Sequence, residues 1–530
     1  MAVSTQSAPE AKPFIVRRAQ AGIALAALSF VIYACLALSL PQIRNARSCC
    51  EQSSLASAVS NVLYGTRLGS YYSGVFDSFM AHFSQPLSST LEGLRAELPA
   101  KPTGAWIPTT RDGNGVGYPV VATAALRLFG IHARAPVLLM LILMAVSAAA
   151  FLHCFFRRYT AVVVLYFAAL AAMLFTPLVW DPSWAVQIPV GGIRYFSLVS
   201  VLPVFHILLT LLDRQSPDPH AGWRGAVPLG IQTAILVIAT LVRGSAIPLI
   251  GAIALAGLVM AWRYRRDRGR LLSLARSFAV MGLVSLGLLV SIMLSVPRQY
   301  LTDGRFGTVV WQRVVQSLGA SPAFPFPGIN DMFECPDLLP HGLLAGMPDE
   351  NGMCIWLDYA ARHNVPPDAH AYLVFGNVFE TALREAFFRI AARYPREVLE
   401  TFLYYKFQYI ARSIDLSVRF NFAGDPTRAL LPTGPAVLPY PAPAIGLLIL
   451  SIGIVGAYFS IATVSMSDVW RIAEVGLLAA LFTIPSYMAA WAMPHTSADL
   501  LLYCFFSIGL ILGTIVLGIR RAVRGALGHA

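Results

Sequence analysis

The sequence predicts an all-α polytopic membrane protein with about ten transmembrane helices and two large external segments. Three observations predict it. Of 530 residues, 57% are hydrophobic and 12% charged, where a soluble domain carries about 25% charged residues. Apolar runs of near-uniform Leu, Ala, Val and Ile recur at lengths that cross roughly 30 Å of hydrocarbon. Lys and Arg gather beside alternate run ends, as the positive-inside bias requires. The composition excludes a soluble enzyme, a disordered chain and a disulfide scaffold. Helices are expected because a backbone in lipid must satisfy its own hydrogen bonds, and a β-barrel would show short alternating segments.

The elements follow in order. Residues 1–20 hold Lys12, Arg17 and Arg18 and form a cytoplasmic N-terminus. Spans are read at 21–40, 134–156, 160–180, 194–211, 227–241, 246–262 and 274–295. These make a membrane core over 21–296 that is interrupted by an external loop, 42–133. The first is read as a retained span rather than a cleaved signal peptide. The pair at 227–241 and 246–262, separated by Arg243 and Gly244, is either a tight hairpin or one broken element. A second external region covers 297–442, and closing spans at 443–463, 473–491 and 498–518 lie within 443–519, before a tail at 520–530. With the N-terminus inside, Arg157, Arg158, Arg214, Arg224, the Arg263–Arg270 cluster, Arg471, Arg520, Arg521 and Arg524 all fall inside. A multi-pass protein of a bacterial inner membrane, with both termini cytoplasmic, is expected. The net charge of +12 would raise nucleic acid as a partner of a soluble chain. Here the densest basic cluster directly follows an apolar run, so topology accounts for it and membrane lipids are the expected partners.

The external segments are helical by pattern. Phe379, Ala382, Leu383, Phe387, Phe388 and Ile390 recur at helical spacing until Tyr394-Pro395. Val398 to Ile410 sets Tyr404, Tyr405, Phe407 and Tyr409 beside Lys406 and Arg412. It reads either as a helix lying at the membrane interface, where aromatic rings are favoured, or as ordinary packing of a soluble domain on the bundle. Of seven cysteines, Cys35, Cys154 and Cys504 lie in spans; Cys49, Cys50, Cys335 and Cys354 lie outside. Cys335 and Cys354 are near enough in sequence to bridge on an oxidising side.

No phosphate-binding P-loop, dinucleotide fingerprint, zinc-protease helix or nucleophile elbow is present in the sequence. The strongest local feature is Thr110-Arg111-Asp112-Gly113-Asn114-Gly115-Val116-Gly117-Tyr118-Pro119, a polar glycine-rich turn that enters an apolar helix ending at Gly130. Glycine permits close approach to a ligand, and Asp112 can accept a proton from a hydroxyl or hold a metal. A plain Asx turn into the next helix would look similar.

The run Arg111 to Gly130 resembles the first external loop of integral-membrane glycosyltransferases of the C-type superfold, with its Tyr-Pro step and its Leu-Phe-Gly helix end. Phe387-Phe388-Arg389-Ile390-Ala391-Ala392-Arg393-Tyr394-Pro395, and Trp311-Gln312-Arg313-Val314 with Ser317-Leu318-Gly319, resemble segments of uncharacterised bacterial members. The resemblance covers most of the chain as architecture and about twenty residues as motif. It implies transfer of a sugar from a polyprenyl-phosphate donor to a glycan or lipid acceptor of the cell envelope, on the outer face. It also implies an external acid as base. Members usually place that acid soon after the first span, whereas here Glu51 comes ten residues after Pro41. The order of candidates is Asp112, Glu51, Asp77.

A leaving phosphate needs cations, and Arg pairs bidentately with it. Arg194, Arg243 and Arg298, all expected on the outer side, are the candidates. Each could instead anchor lipid headgroups by snorkelling. Arg111, Tyr118, Asp331, Glu334 and Trp311 are candidates for the acceptor or loop site. Asp331 and Glu334 could also hold a divalent cation, the one cofactor considered. Two rivals stand beside this reading. A transporter or flippase would show inverted repeats and polar, broken midplane helices. A non-catalytic envelope assembly protein would lack an acid near the arginines.

Overall fold

The computed structural model describes residues 11–39, 52–82, 87–108, 117–156, 158–180, 192–212, 223–243, 246–298, 310–333, 348–365, 376–408 and 466–488, with single positions at 503, 515, 518, 519, 522 and 523. These residues are almost entirely helical. They pack into a large hydrophobic core in the helical bundle, a smaller separate core within residues 315–398, and a small cluster around Ile292 and Val296. The protein is an all-α polytopic membrane protein.

Among the described residues, four helices are long and apolar enough to cross a membrane, with spanning stretches Gln20–Leu38, Arg134–Phe155, Gly225–Val242 and Arg268–Ser295. The first belongs to α1 (Ala11–Ser39). The segment between α1 and the next spanning helix then gives α2 (Gln52–Tyr64), β1 (Ser70–Tyr72), α3 (Ser73–Ala81), α4 (Leu87–Glu97), β2 (Trp106–Pro108) and α5 (Gly117–Phe129). The bundle continues with α6 (Arg134–Phe155), α7 (Thr160–Trp180), α8 (Ile193–Phe196), a 3-10 turn at Ser197–Ser200, α9 (Val201–Leu212), α10 (Trp223–Val242), α11 (Ile247–Arg263) and α12 (Arg268–Ser295). After α12 come α13 (Trp311–Ser317), α14 (Pro348–Arg362), α15 (Gly376–Arg393) and α16 (Pro395–Glu400), and α17 (Met466–Met488) returns to the bundle. The expected span at 443–463, and nearly all of that at 498–518, lie outside the described residues.

The helix between Ala11 and Ser39 packs along α7, with Phe30 and Tyr33 against Phe167. The pair around Arg243 forms two helices that share α9 as a neighbour and otherwise pack differently. α10 packs on α5, α6 and α12, while α11 packs on α9 and α17. Polar groups inside the bundle meet one another across helices. Ser147 Oγ donates to Gln232 Oε1 at 2.7 Å, and Gln232 Nε2 donates to the Ser147 carbonyl at 2.7 Å. Such reciprocal bonds join helices where no water is at hand. At one end of the bundle Arg158 pairs with Asp468, which also accepts from the Tyr159 hydroxyl at 3.4 Å. This pairs the turn before α7 with the first turn of α17.

In the external loop α2 packs on α5. Its buried serines hold the chain entering β1. Ser57 Oγ accepts from the Gly69 N–H at 3.2 Å and Ser60 Oγ from the Tyr72 N–H at 3.4 Å. β1 and β2 pair antiparallel, Tyr71 opposite Ile107.

The smaller core gathers Phe324, Phe326, Trp356, Phe379, Leu383, Ala386 and Ile390. Asp358 is its buried acid, bonded by Arg362 Nε at 3.0 Å and Arg389 Nη1 at 3.2 Å. Cys354 is fully buried and disulfide-bonded; Cys335 lies outside the described residues, so the expected bridge between them is left there. Past α16 the helix widens into a π turn, Thr401–Tyr405. Lys406, which follows it, is fully buried, and burial pushes its pKa down to about 7.

Candidate functional site

Several elements converge on the C-terminal end of α10. Gly117, the first residue of α5, lies against it so closely that a Cβ there would overlap the Leu241–Val242 peptide. Only glycine allows this approach. Val120, one turn further, meets Leu241, Leu68 and the end of α12 through Ile292 and Val296. The Leu68 N–H donates to the Ser295 carbonyl at 3.2 Å. The chain around Leu68, α5, α10 and α12 thus share one end of the bundle, opposite the Arg158–Asp468 pair.

Arg243 caps this arrangement. Its backbone N–H still donates to Ala239 at 2.9 Å, continuing α10 by one residue. Its Nη1 donates to Ser197 Oγ at 3.3 Å. Ser197 opens the 3-10 turn that joins α8 to α9, and the turn is tied down twice. Ser200 Oγ donates to the Ser197 carbonyl at 2.6 Å, and the Tyr166 hydroxyl donates to the Leu198 carbonyl at 2.9 Å.

The second cation comes from the other core. Arg313, half-buried on α13, has its pKa lowered by burial first and by the nearby Arg243 guanidinium second; Glu380 pulls it the other way. Glu380 also fixes the start of α13. Its Oε2 accepts from the N–H groups of Val310 and Trp311, each at 2.8 Å, and its Oε1 from Gln312 at 3.3 Å. A carboxylate suits the positive end of a helix. Two guanidiniums drawn together while partly desolvated repel each other. Such an arrangement suits an anion, above all a phosphate, which guanidinium groups fit in a bidentate fork.

Among the sequence candidates, Arg243 is the one that the structure brings to Arg313. Arg194 lies on α8, which packs against α10. Arg298 is exposed and follows α12 directly, beyond Val296. Both therefore sit on elements that border the same end. Tyr118 is buried in the first turn of α5, beside Gly117. Asp77 is exposed on α3, whose Val75 and Phe79 face inward, so its carboxylate belongs to the solvent side of the loop. Asp331 is exposed in a 3-10 turn after Gly328. Trp311 is half-buried and its ring packs on Phe387 and Phe388, with centroids 5.7 and 5.4 Å away. Asp112, Arg111, Glu51 and Glu334 lie outside the described residues. No group of three or more possible metal ligands occurs among the described residues; the Asp331–Glu334 pair is only half within them.

Sequence reasoning quoted Arg313 only as part of a motif and did not weigh Glu380. The available signal was an arginine two residues after Trp311, at the start of a short helix in an external segment.

No family model matches the chain, and no curated protein does. Among solved structures it is similar to ArnT from Cupriavidus metallidurans, in the apo state at 13% identity and bound to undecaprenyl phosphate at 14%. Each superposition covers 92% of this chain and 77% of that chain with a TM-score of 0.31. At that overlap the likeness assigns no residue and no chemistry here.

Proposed function

We propose that this protein is a glycosyltransferase that moves a sugar from a polyprenyl-phosphate donor to a glycan or lipid acceptor of the cell envelope, on the outer face of a bacterial inner membrane. The observation that carries this reading is that Arg243, at the end of a membrane-spanning helix and bonded to Ser197, lies within electrostatic reach of the half-buried Arg313. A lipid-linked phosphate presents its charge at that level. The resemblance of Arg111–Gly130 to the first external loop of C-type glycosyltransferases supplies the reaction class. The disulfide at Cys354 fits an oxidising, external location for the second core.

In this reading a carboxylate deprotonates the acceptor hydroxyl. The hydroxyl oxygen attacks the anomeric carbon, and the phosphate leaves from the opposite face toward Arg243 and Arg313. Arg298 and the helix that carries Arg194 border the same end of the bundle. Asp112 is the first choice of base. It precedes Gly117 by five residues, a tether of at most about 18 Å, and Gly117 touches the peptide just before Arg243. Glu51 and then Asp77 follow in order. A transporter would need polar groups in the spans to line a path. Gln232 and Ser147 instead bond to each other.

The test uses purified protein in lipid nanodiscs. Arg243→Ala and Arg313→Ala should each weaken undecaprenyl phosphate binding about tenfold or more, since a charge-assisted hydrogen bond contributes about 1.5–3 kcal/mol. Asp112→Asn should keep that binding and lose transfer from polyprenyl-phosphate sugars. Wild-type affinity in both arginine variants would remove the site.

A further inference from the structure

The segment after Tyr394 has its polarity turned inside out. Thr401 and Lys406 are fully buried, at 0% exposure. Leu399, Leu403, Tyr404 and Phe407 are 59%, 69%, 57% and 54% exposed. A helix lying on a water-soluble domain does the reverse, burying its apolar stripe and exposing its charge. The π turn at Thr401–Tyr405 makes this arrangement possible. Its wider winding brings residues five apart onto one face, so Thr401 and Lys406 point the same way. Leu399, Leu403 and Phe407, spaced by four, stay together on the other face.

The exposed stripe is not isolated. Phe387 meets Phe402 with ring centroids 6.1 Å apart, and Phe387 and Phe388 both meet Trp311. Phe388 is itself 57% exposed. The aromatic surface therefore runs from the π turn to the start of α13, two residues before Arg313. Arg313 in turn lies near Arg243, at the end of a spanning helix. This sets the height of the surface at the edge of the hydrocarbon. The charged neighbours Arg396 and Glu400 pair with each other at 2.8 Å at the N-terminal end of this helix.

We infer that Leu399, Leu403, Tyr404 and Phe407, continued by Phe388, form a face that beds into the outer leaflet of the bilayer and holds the external domain down on the bundle. Lipid is the occupant because this face is apolar and aromatic over Leu403, Tyr404, Phe407 and Phe388, its neighbouring charges, Arg396 and Glu400, pair with each other at the start of the helix, and it lies at the level where a spanning helix ends. Aromatic rings favour that interface, and a helix there buries its apolar side a few ångströms into the acyl boundary. The inference rests on the membrane topology and not on the proposed reaction.

The experiment places the photoreactive residue p-benzoylphenylalanine, one position at a time, at Leu399, Leu403, Phe407 and Arg396. The full chain is held in nanodiscs of phosphatidylethanolamine and phosphatidylglycerol, irradiated and weighed intact by mass spectrometry. Lipid adducts at Leu403 and Phe407, several-fold above those at Arg396, are the expected result. Adducts with residues 409–465 of the same chain, adducts with a second copy, or lipid labelling no greater than at Arg396 would each overturn it. Leu399 provides an independent reading where one of the other variants fails to accumulate.

Discussion

Lys406 offers a sharp test of the external core, because its burial converts directly into pH-dependent stability. The perturbation is Lys406→Met, which keeps an unbranched side chain of similar length and removes the amine. Burial takes the pKa of Lys406 from 10.5 to about 7. Each pKa unit corresponds to ~1.4 kcal/mol of preference between protonation states, so the buried ammonium disfavours the fold by about 5 kcal/mol relative to water. The sign follows from where the protons sit. Below pH 7 the lysine is protonated in both states, and the fold carries the whole penalty. Between pH 7 and 10.5 the unfolded chain keeps its proton while the fold holds the neutral amine, so stability rises with pH by ~1.4 kcal/mol per unit. Above that range both states are neutral and the penalty is gone. Lys406→Met should therefore be more stable than the wild type at pH 6 by several kcal/mol, and the gap should close as pH approaches 10. Unfolding of both proteins in detergent at pH 6, 7, 8 and 9 measures the gap, and the comparison cancels titrations that the two share. A gap that does not change with pH, or a less stable methionine variant at pH 6, would refute the reasoning and mean that Lys406 is held as a charged group.

Two further outcomes follow from the bundle. Gly117→Ala pushes a methyl group into the Leu241–Val242 peptide and should destabilise the protein by about 1–3 kcal/mol, the usual range for overpacking, read as a lower unfolding midpoint in detergent. At the opposite end, Arg158→Ala leaves Asp468 buried without its guanidinium partner; stripping one partner from a buried pair costs about 3–5 kcal/mol, less here because Arg158 is partly exposed. Adding Asp468→Asn should restore part of the lost stability, and simple additivity of the two changes would show that the pair is not coupled.

Much of the bundle was legible because a membrane span announces itself by composition. The helix Arg134–Phe155 falls on the expected span 134–156, and the shorter apolar helix Ile247–Arg263 falls on 246–262. Where starts were misplaced, the cause was polar residues tolerated at the membrane boundary. α12 begins at Arg268 rather than 274, because Asp267 caps it by accepting from the Arg270 N–H at 3.1 Å and the basic residues extend the helix beyond the hydrocarbon. Phe388 was expected in the buried stripe of its helix with Phe387. Adjacent residues on a helix point about 100° apart, and the core takes Ile390, Ala386 and Leu383, leaving Phe388 outside. Of the site, Arg243 was legible as an arginine against the positive-inside bias. Its meeting with Arg313 was not, because no local pattern links a helix end in the bundle to a short helix in another core. Nor does spacing reveal that Glu380 reaches back across the chain to the start of α13.

The charges at that meeting point bear on what the site would do to a bound donor. Glu380 already accepts from three backbone N–H groups, so its charge is turned first to the end of α13. Together with Arg243 and Arg313 it leaves the trio one positive charge in excess. A polyprenyl-phosphate sugar is a phosphodiester with a single negative charge. When the sugar departs, the phosphate becomes a monoester with a charge of roughly −1.5 to −2 at neutral pH. Negative charge therefore grows on the phosphate as the bond to the sugar breaks. Fixed guanidiniums interact more strongly with that growing charge than with the starting diester, and an interaction that strengthens toward the transition state is the kind that accelerates a reaction. Holding the two cations on separately packed cores, one through Ser197 on the bundle and one on the helix that Glu380 fixes, keeps them close despite their repulsion. On the proposed chemistry the repulsion is relieved when the leaving phosphate comes between them.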